Sequence, residues 1–369
     1  MKKHLIFILP ILAIYLIILV LFHPRVFTYQ FDHEIIGRYF CSQDIPYEPP
    51  CPRVWLSDEE LHIAAGYLYA KGHDPAVIDF QHMPFVATLY GFSIVLFNNP
   101  FYVEIIFGML YLILVYILGM KLFTSRIIAA LASAIFLIDP LFLELSSQAS
   151  YELGQAVFLL SYLILMVYYR KKVILQGITL GLLASTKFWG ATLFFIAATV
   201  AYRIVKKQFD IKGYIIHLAV AFVAFSLTYI TSFVKQNFLF NIVFFQLKVL
   251  KFWLDHSVSN IPFASFILFT TGYFKSWWKG HEILRTQIWF FLWPIGLISS
   301  VWISVKPLLK WDIKPQLFFS SIPLIYLVYL GVQAPFSRYF ILILPFCYLS
   351  LSFQAVQIAK KYLKTSKKK

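Results

Sequence analysis

The sequence predicts an all-α fold, a polytopic bundle of about ten transmembrane helices with a structured first outer loop. Two observations predict it. Sixty per cent of the 369 residues are apolar and 13 % are charged. A soluble domain is nearer half apolar and a quarter charged. The apolar residues also fall into runs of about 17 to 22, the length that crosses a hydrocarbon core as a helix. In lipid the backbone must satisfy its own hydrogen bonds, so each such run is expected to be helical.

The net charge of +15 at first suggests a polyanionic partner. Its distribution argues against nucleic acid. Basic residues cluster just after apolar runs, as Arg170-Lys171-Lys172, as Arg203 with Lys206 and Lys207, and along the tail from Lys360. That is the asymmetry of a chain threaded through a bilayer with its positive loops inside. Tyr and Trp recur near the ends of the runs, as interfacial belts do.

The first run, 4–22, follows Met1-Lys2-Lys3 and has the shape of a signal peptide core. The sequel Phe22-His23-Pro24-Arg25 lacks a small-residue cleavage pattern, so the run is expected to be kept as a span. The remaining spans are expected at 101–120, 127–144, 153–169, 173–186, 188–203, 214–233, 288–305, 316–334 and 339–357. With the amino terminus inside, the inner segments hold 20 of the 32 basic residues, against Asp210 and Asp312 among the acids. The segment 84–97 is apolar but 14 residues long, about 21 Å as a helix. Were it to span, every later basic cluster would face outward, so it is expected to be interfacial or re-entrant. The whole chain, 1–369, reads as a single membrane domain with no internal repeat. Two large outer loops, 23–100 with amphipathic helices and 234–287, interrupt it.

Cys41 and Cys51 share the first loop, flanking the turn-rich Ile45-Pro46-Tyr47-Glu48-Pro49-Pro50. In an oxidising compartment they would pair and stabilise by about 2–3 kcal/mol, and otherwise they are two thiols without a role. Further on, Ser57-Asp58-Glu59-Glu60 has the form of a capping box, with Ser57 as N-cap and Glu60 at the third helical position. These acids suit a helix amino terminus for that reason alone. His62, one turn on, is a weak metal partner for Asp58.

The sequel points to chemistry. Gly72-His73-Asp74-Pro75 and Gln81-His82-Met83-Pro84-Phe85 precede the short apolar segment. With Asp58-Glu59, this order resembles the GT-C superfamily of integral-membrane glycosyltransferases, in particular the protein O-mannosyltransferase and aminoarabinose transferase group. That group carries an Asp-Glu pair in its first outer loop and a His-Pro-Pro-Leu-like motif before its second span. His82-Met83-Pro84-Phe85 departs at one proline and at the leucine. Glu152 stands where the group usually has Asp. Gly177 to Lys187 is similar to its glycine-containing span ending in Thr-Lys, and Ser337-Arg338-Tyr339 to the Arg-Tyr pair opening a late span. The resemblance covers most of 57–204 and the last two spans. Residues 31–54 read as an insertion, and Asp32 with Glu34 as a surface feature of it.

The resemblance implies a polyprenyl-phosphate-linked sugar as donor and an acceptor that is a protein, a glycan or a lipid. Asp58 is expected to be the base or a metal ligand, with Glu59 beside it. His82, Glu152, Lys187, Arg338 and Tyr339 are expected to bind substrate. A divalent metal, if used, would sit between Asp58 and Glu152. The site is expected at the outer face of the cell membrane. A transporter or flippase for a lipid-linked substrate is the alternative, and a non-catalytic assembly partner a further one.

Overall fold

The structure, a computed structural model, describes residues 2–42, 51–236, 241–256, 261–275, 282–310 and 313–366. Helix α1 (Lys2–Phe22) is followed by α2 (Arg25–Thr28), α3 (Glu34–Ser42), α4 (Asp58–Ala70), α5 (Pro75–Ile78) and α6 (Pro84–Phe97). Then come α7 (Tyr102–Phe123), α8 (Arg126–Ile135), α9 (Pro140–Leu145), α10 (Tyr151–Tyr168), α11 (Val173–Ala184), α12 (Gly190–Val205) and α13 (Ile211–Leu227). The second loop holds α14 (Ile230–Gln236), α15 (Ile242–His256), α16 (Ala264–Thr271) and an antiparallel hairpin of β1 (Tyr273–Lys275) and β2 (Ile283–Arg285). Helices α17 (Leu292–Leu309), α18 (Pro315–Tyr329) and α19 (Leu344–Ser366) complete the bundle, with a 3-10 turn at Ser337–Leu342 leading into α19.

The fold is the expected all-α membrane bundle. Among the described residues, five helices are long and apolar enough to cross a bilayer: His4–Phe22, Tyr102–Phe123, Tyr151–Tyr168, Leu292–Leu309 and Pro315–Val332. Other expected spans are shorter apolar helices, such as Val173–Ala184 and Gly190–Val205. The expected span 127–144 is not one helix. It breaks at Asp139-Pro140, where proline has no N–H to continue the ladder and its ring disfavours α geometry at the preceding residue. Asp139 then caps α9 through the Phe142 N–H at 3.1 Å and accepts the Trp293 indole N–H at 3.0 Å. The Pro-rich 45–50 stretch and residues 237–240 of the second outer loop lie outside the described residues.

Glycines set two close crossings. Gly66 on α4 meets Ala87 and Gly91 on α6 backbone to backbone, with no room for a Cβ on either glycine. Gly177 and Gly181 bring α11 against the backbone of α13 at His217 and Ala221. Such packing is how helices associate where lipid removes the hydrophobic drive. It locks α4 and α6, both parts of the first loop, to each other.

The two ends of the bundle differ in charge. Near the end of α10, the Arg203 guanidinium donates to Met166 O at 3.0 Å, and Lys121 Nζ lies 4.8 Å from the Tyr169 ring centre. Glu152 opens the same helix. Sixteen residues of α-helix separate those ends by about 24 Å.

Candidate functional site

Four elements bring the site together. Helix α4 starts where the sequence predicts: Ser57 N–H donates to Glu60 Oε2 at 2.9 Å and Glu60 N–H donates to Ser57 Oγ at 3.3 Å. Glu60 is spent on this cap and on Arg38, 3.1 Å away, which leaves Asp58 to project from the first turn. Helix α11 ends with Ser185 Oγ donating to Gly181 O and Thr186 Oγ1 to Leu183 O, both at 2.7 Å, and Lys187 leaves the helix there. Glu152 lies in the first turn of α10, where the helix dipole favours a carboxylate. Arg338 opens the 3-10 turn before α19.

Arg338 is the hinge of the cluster. Its Nη1 donates to Asp58 Oδ2 at 2.7 Å across 280 residues of sequence. Its Nε lies 3.1 Å from Glu152 Oε1, a charge contact without hydrogen-bond alignment. Lys187 Nζ donates to the same Glu152 oxygen and sits over the Tyr339 ring at 4.6 Å. The Glu152 side chain is 2 % exposed, while that of Asp58 is 60 % exposed and, among the described residues, its other oxygen has no protein partner. Thus Asp58, Glu152, Lys187, Arg338 and Tyr339 form one constellation.

Glu59 points elsewhere. Its Oε1 accepts from Arg25 Nη2 at 2.6 Å and its Oε2 from Ala149 N–H at 3.3 Å, so it ties α4 to α2 and to the segment before α10. His82 stands beside the cluster, its Nδ1 bonded to Asp79 Oδ2 at 3.0 Å. His62 is buried, bonded to Ala149 O at 3.0 Å and stacked on Tyr151 at 3.8 Å. Cys41 and Cys51 are joined by a disulfide, with Cα atoms 5.7 Å apart. Sequence reasoning missed Asp79, whose signal was its spacing of three residues from His82. It missed Arg25 too, which no local pattern marks.

Electrostatics follow the geometry. Partial burial raises the Asp58 carboxyl, but the charge and hydrogen bond of Arg338 outweigh it and hold the group below the usual carboxylate range. Asp79 is buried as well, and His82 with backbone N–H donors lowers it likewise. The His62 imidazole is pushed down to about 4 by burial first and by His82 second, so it is neutral near pH 7.

Among the described residues no three His, Cys, Asp or Glu side chains gather to hold an ion. The place between Asp58 and Glu152 is already filled by a guanidinium.

Cavities open on both sides of the cluster. A polar one of about 250 Å³ is lined by Asp58, Asp79, Gln81, His82, Tyr39 and Trp55. A small one of about 60 Å³ lies on the other side, against Lys187, Phe188, Ala191, Tyr326 and Tyr339. Beyond it a groove of about 720 Å³ runs between α12, α17 and α18, past Phe194, Ala198, Tyr202, Phe318 and Ile322. Ala191, Phe194, Ala198 and Tyr202 fall three or four apart on one face of α12, so the small cavity and the groove share one seam. Phe194, 5.3 Å from Tyr326 and 5.1 Å from Tyr329 ring to ring, stands between them.

The chain's likeness to known proteins agrees with this architecture. A family model described as dolichyl-phosphate-mannose-protein mannosyltransferase matches residues 102–245, fewer than half of the chain. The match reaches beyond 204, where the motif-borne resemblance ends, and takes in Glu152 and Lys187 but neither Asp58 nor Arg338. No curated protein sequence matches. The fold is that of ArnT from Cupriavidus metallidurans bound to undecaprenyl phosphate, at a TM-score of 0.57 and 14% identity over 87% of this chain. The apo state of that protein matches with the same TM-score and identity over 86% of this chain. The chain spans 59% and 58% of those two chains. The expected resemblance to the GT-C superfamily is therefore met in a family model and in the fold.

Proposed function

We propose that this protein is a glycosyltransferase that moves a sugar from a polyprenyl-phosphate donor to a hydroxyl-bearing acceptor. The observation that carries the reading is the placement of the Asp58–Arg338–Glu152–Lys187 cluster between a polar cavity and an apolar seam. A lipid-linked sugar has those two needs: a dry groove for the chain and a wet chamber for the sugar. The solved relative's undecaprenyl phosphate is a ligand of that kind.

In this reading the prenyl chain lies along α12 and α18, and its phosphate meets Lys187 and Arg338. Each cation has N–H groups beyond those used on carboxylates, and a guanidinium can offer a phosphate two parallel bonds. As the bond from the sugar to the phosphate breaks, the two cations offset the charge left on the lipid phosphate. Glu152 keeps both cations aimed at that point. Asp58 holds the acceptor hydroxyl with its open oxygen and acts as its base, which contributes about 10²- to 10⁴-fold. Displacement from the face opposite the phosphate inverts the anomeric centre. Tyr339 supports Lys187 and lines the donor side. The site faces outward at the cell membrane, as the charge asymmetry of the loops supports.

The test uses purified protein in lipid nanodiscs with undecaprenyl-phosphate mannose as donor and envelope membranes from the source organism as acceptor. Wild type is expected to release undecaprenyl phosphate, Asp58→Asn to lose at least about a hundredfold in rate, and Arg338→Lys to lose donor affinity. Equal rates in wild type and Asp58→Asn would remove Asp58 from the mechanism. Transbilayer movement of an uncleaved donor would favour a flippase.

A further inference from the structure

The polar cavity contains a second pair of groups that the cluster does not use. Asp79 and His82 face it together with Asp58. The backbone of the intervening turn fixes the orientation of the Asp79 carboxylate. Its Oδ1 accepts from the N–H groups of Gln81 at 3.1 Å and His82 at 3.3 Å, and its Oδ2 takes the His82 ring at Nδ1. An ionised carboxylate only accepts, so a neutral His82 carries its proton on Nδ1 and keeps a lone pair on Nε2. Among the described residues Nε2 has no protein partner.

The walls hold the ring in place. Tyr151 stands 5.5 Å from it, His62 5.4 Å and Trp253 5.7 Å, centre to centre. The Trp253 indole N–H donates to Gln81 O at 2.8 Å, so α15 clamps the same turn. The titratable and charged groups around His82 are Asp79 on its own turn, Asp58 and His62 on α4, Tyr151 on α10, Tyr39 on α3 and Arg53 before α4. Most are unsuited to receiving a proton near neutrality. Asp58 is paired with Arg338, His62 is dry and bonded to Ala149, and Tyr39 donates its hydroxyl to Ile78 O.

We propose that His82, oriented by Asp79, is the final acceptor of the proton that leaves the acceptor hydroxyl. The inference rests on the transferase reading and extends it. Asp58 holds the hydroxyl and draws its proton. The acceptor oxygen forms its bond to the anomeric carbon as the carbon–phosphate-oxygen bond breaks, the electron pair leaving with the lipid phosphate. The proton passes within the shared cavity to His82 Nε2, and the imidazolium is balanced by Asp79 until it releases the proton to water.

Asp79→Asn tests the orientation by itself. The two backbone N–H groups demand an acceptor at the Oδ1 position, so the asparagine places its NH₂ against His82. The ring must then accept at Nδ1 and carry its hydrogen on Nε2, which removes the base without removing the imidazole. With the donor and membranes named above, His82→Gln is expected to lower kcat by about 10²- to 10⁴-fold while the KM for donor stays near wild type. Free imidazole is expected to restore His82→Ala at least about tenfold and to leave Asp58→Asn unchanged. Histidine ¹⁵N spectra of the protein without substrate are expected to show Nε2 unprotonated in wild type and protonated in Asp79→Asn. That readout holds even for a variant too slow to assay. A wild-type rate in His82→Gln would overturn the inference while leaving the transferase reading standing. A wild-type protein that consumes no donor would overturn both.

Discussion

Glu152 is nearly solvent-free and rests on two cations, Lys187 Nζ and Arg338 Nε at 3.1 Å. Removing one partner of a buried pair strands the other, at about 3–5 kcal/mol. Lys187→Met leaves Glu152 the charge contact to Arg338, so a loss near the lower end, about 3 kcal/mol, is expected. Glu152→Gln strands Lys187, which is 11 % exposed and partly supported by the Tyr339 ring, and about 2 kcal/mol is expected. The double variant has no stranded charge and fills similar volume, so it is expected to cost about 1 kcal/mol or less. The coupling between the two sites is then about 4 kcal/mol, large enough to measure. Reversible unfolding in bicelles, followed by tryptophan fluorescence, supplies the four stabilities. The double variant is expected to recover stability but not sugar transfer, because the phosphate contact at Lys187 is gone. Single costs that add within about 0.5 kcal/mol would refute the reasoning, since a contacting buried pair cannot be additive.

Other outcomes follow from the same geometry. Gly91→Ala forces a methyl into the backbone of Gly66, and a loss of about 1–3 kcal/mol or more is expected in the same unfolding assay. Ala201→Trp narrows the apolar groove, and the KM for an undecaprenyl donor is expected to rise about tenfold or more while a short-chain prenyl donor is hardly affected. Stability is expected to fall as pH drops from about 6.5 toward 4, because the unfolded chain protonates His62 at the ordinary imidazole value while the fold delays it to about 4. That window carries up to about 3 kcal/mol, and a melting series from pH 8 to pH 4 should flatten in His62→Phe. The stabilisation of ionised Asp58 and Asp79 is present above the usual carboxylate range and is lost only at lower pH, as protons reach their depressed values. Reduction of the Cys41–Cys51 disulfide is expected to cost about 2–3 kcal/mol, and a melt with and without reductant checks it.

The sequence by itself determined the solvent and the class of fold. Hydropathy and the spacing of basic clusters are local quantities, and the bilayer acts on them locally, so helices appear near all the expected spans. The capping box at Ser57 to Glu60 was readable for the same reason, being complete within four residues. The break at Asp139-Pro140 is as local, but the length of the apolar run hides it, and 127–144 reads as a single span.

The tertiary structure alone decided what each charge does. Asp58 and Glu59 are neighbours in the chain with the same side-chain chemistry, yet one meets Arg338 and the other Arg25. Nothing within a turn of α4 distinguishes them, because the partner that decides lies 280 residues away in one case and 34 in the other. The choice of base rests on the same kind of fact. The Asp79–His82 pair is written within four residues, but its access to Asp58 depends on α4 and α6 crossing at two glycines. Periodicity records which face of a helix avoids water. Which partners meet across the bundle is set by how the faces pack, and that is fixed only when the whole chain is folded.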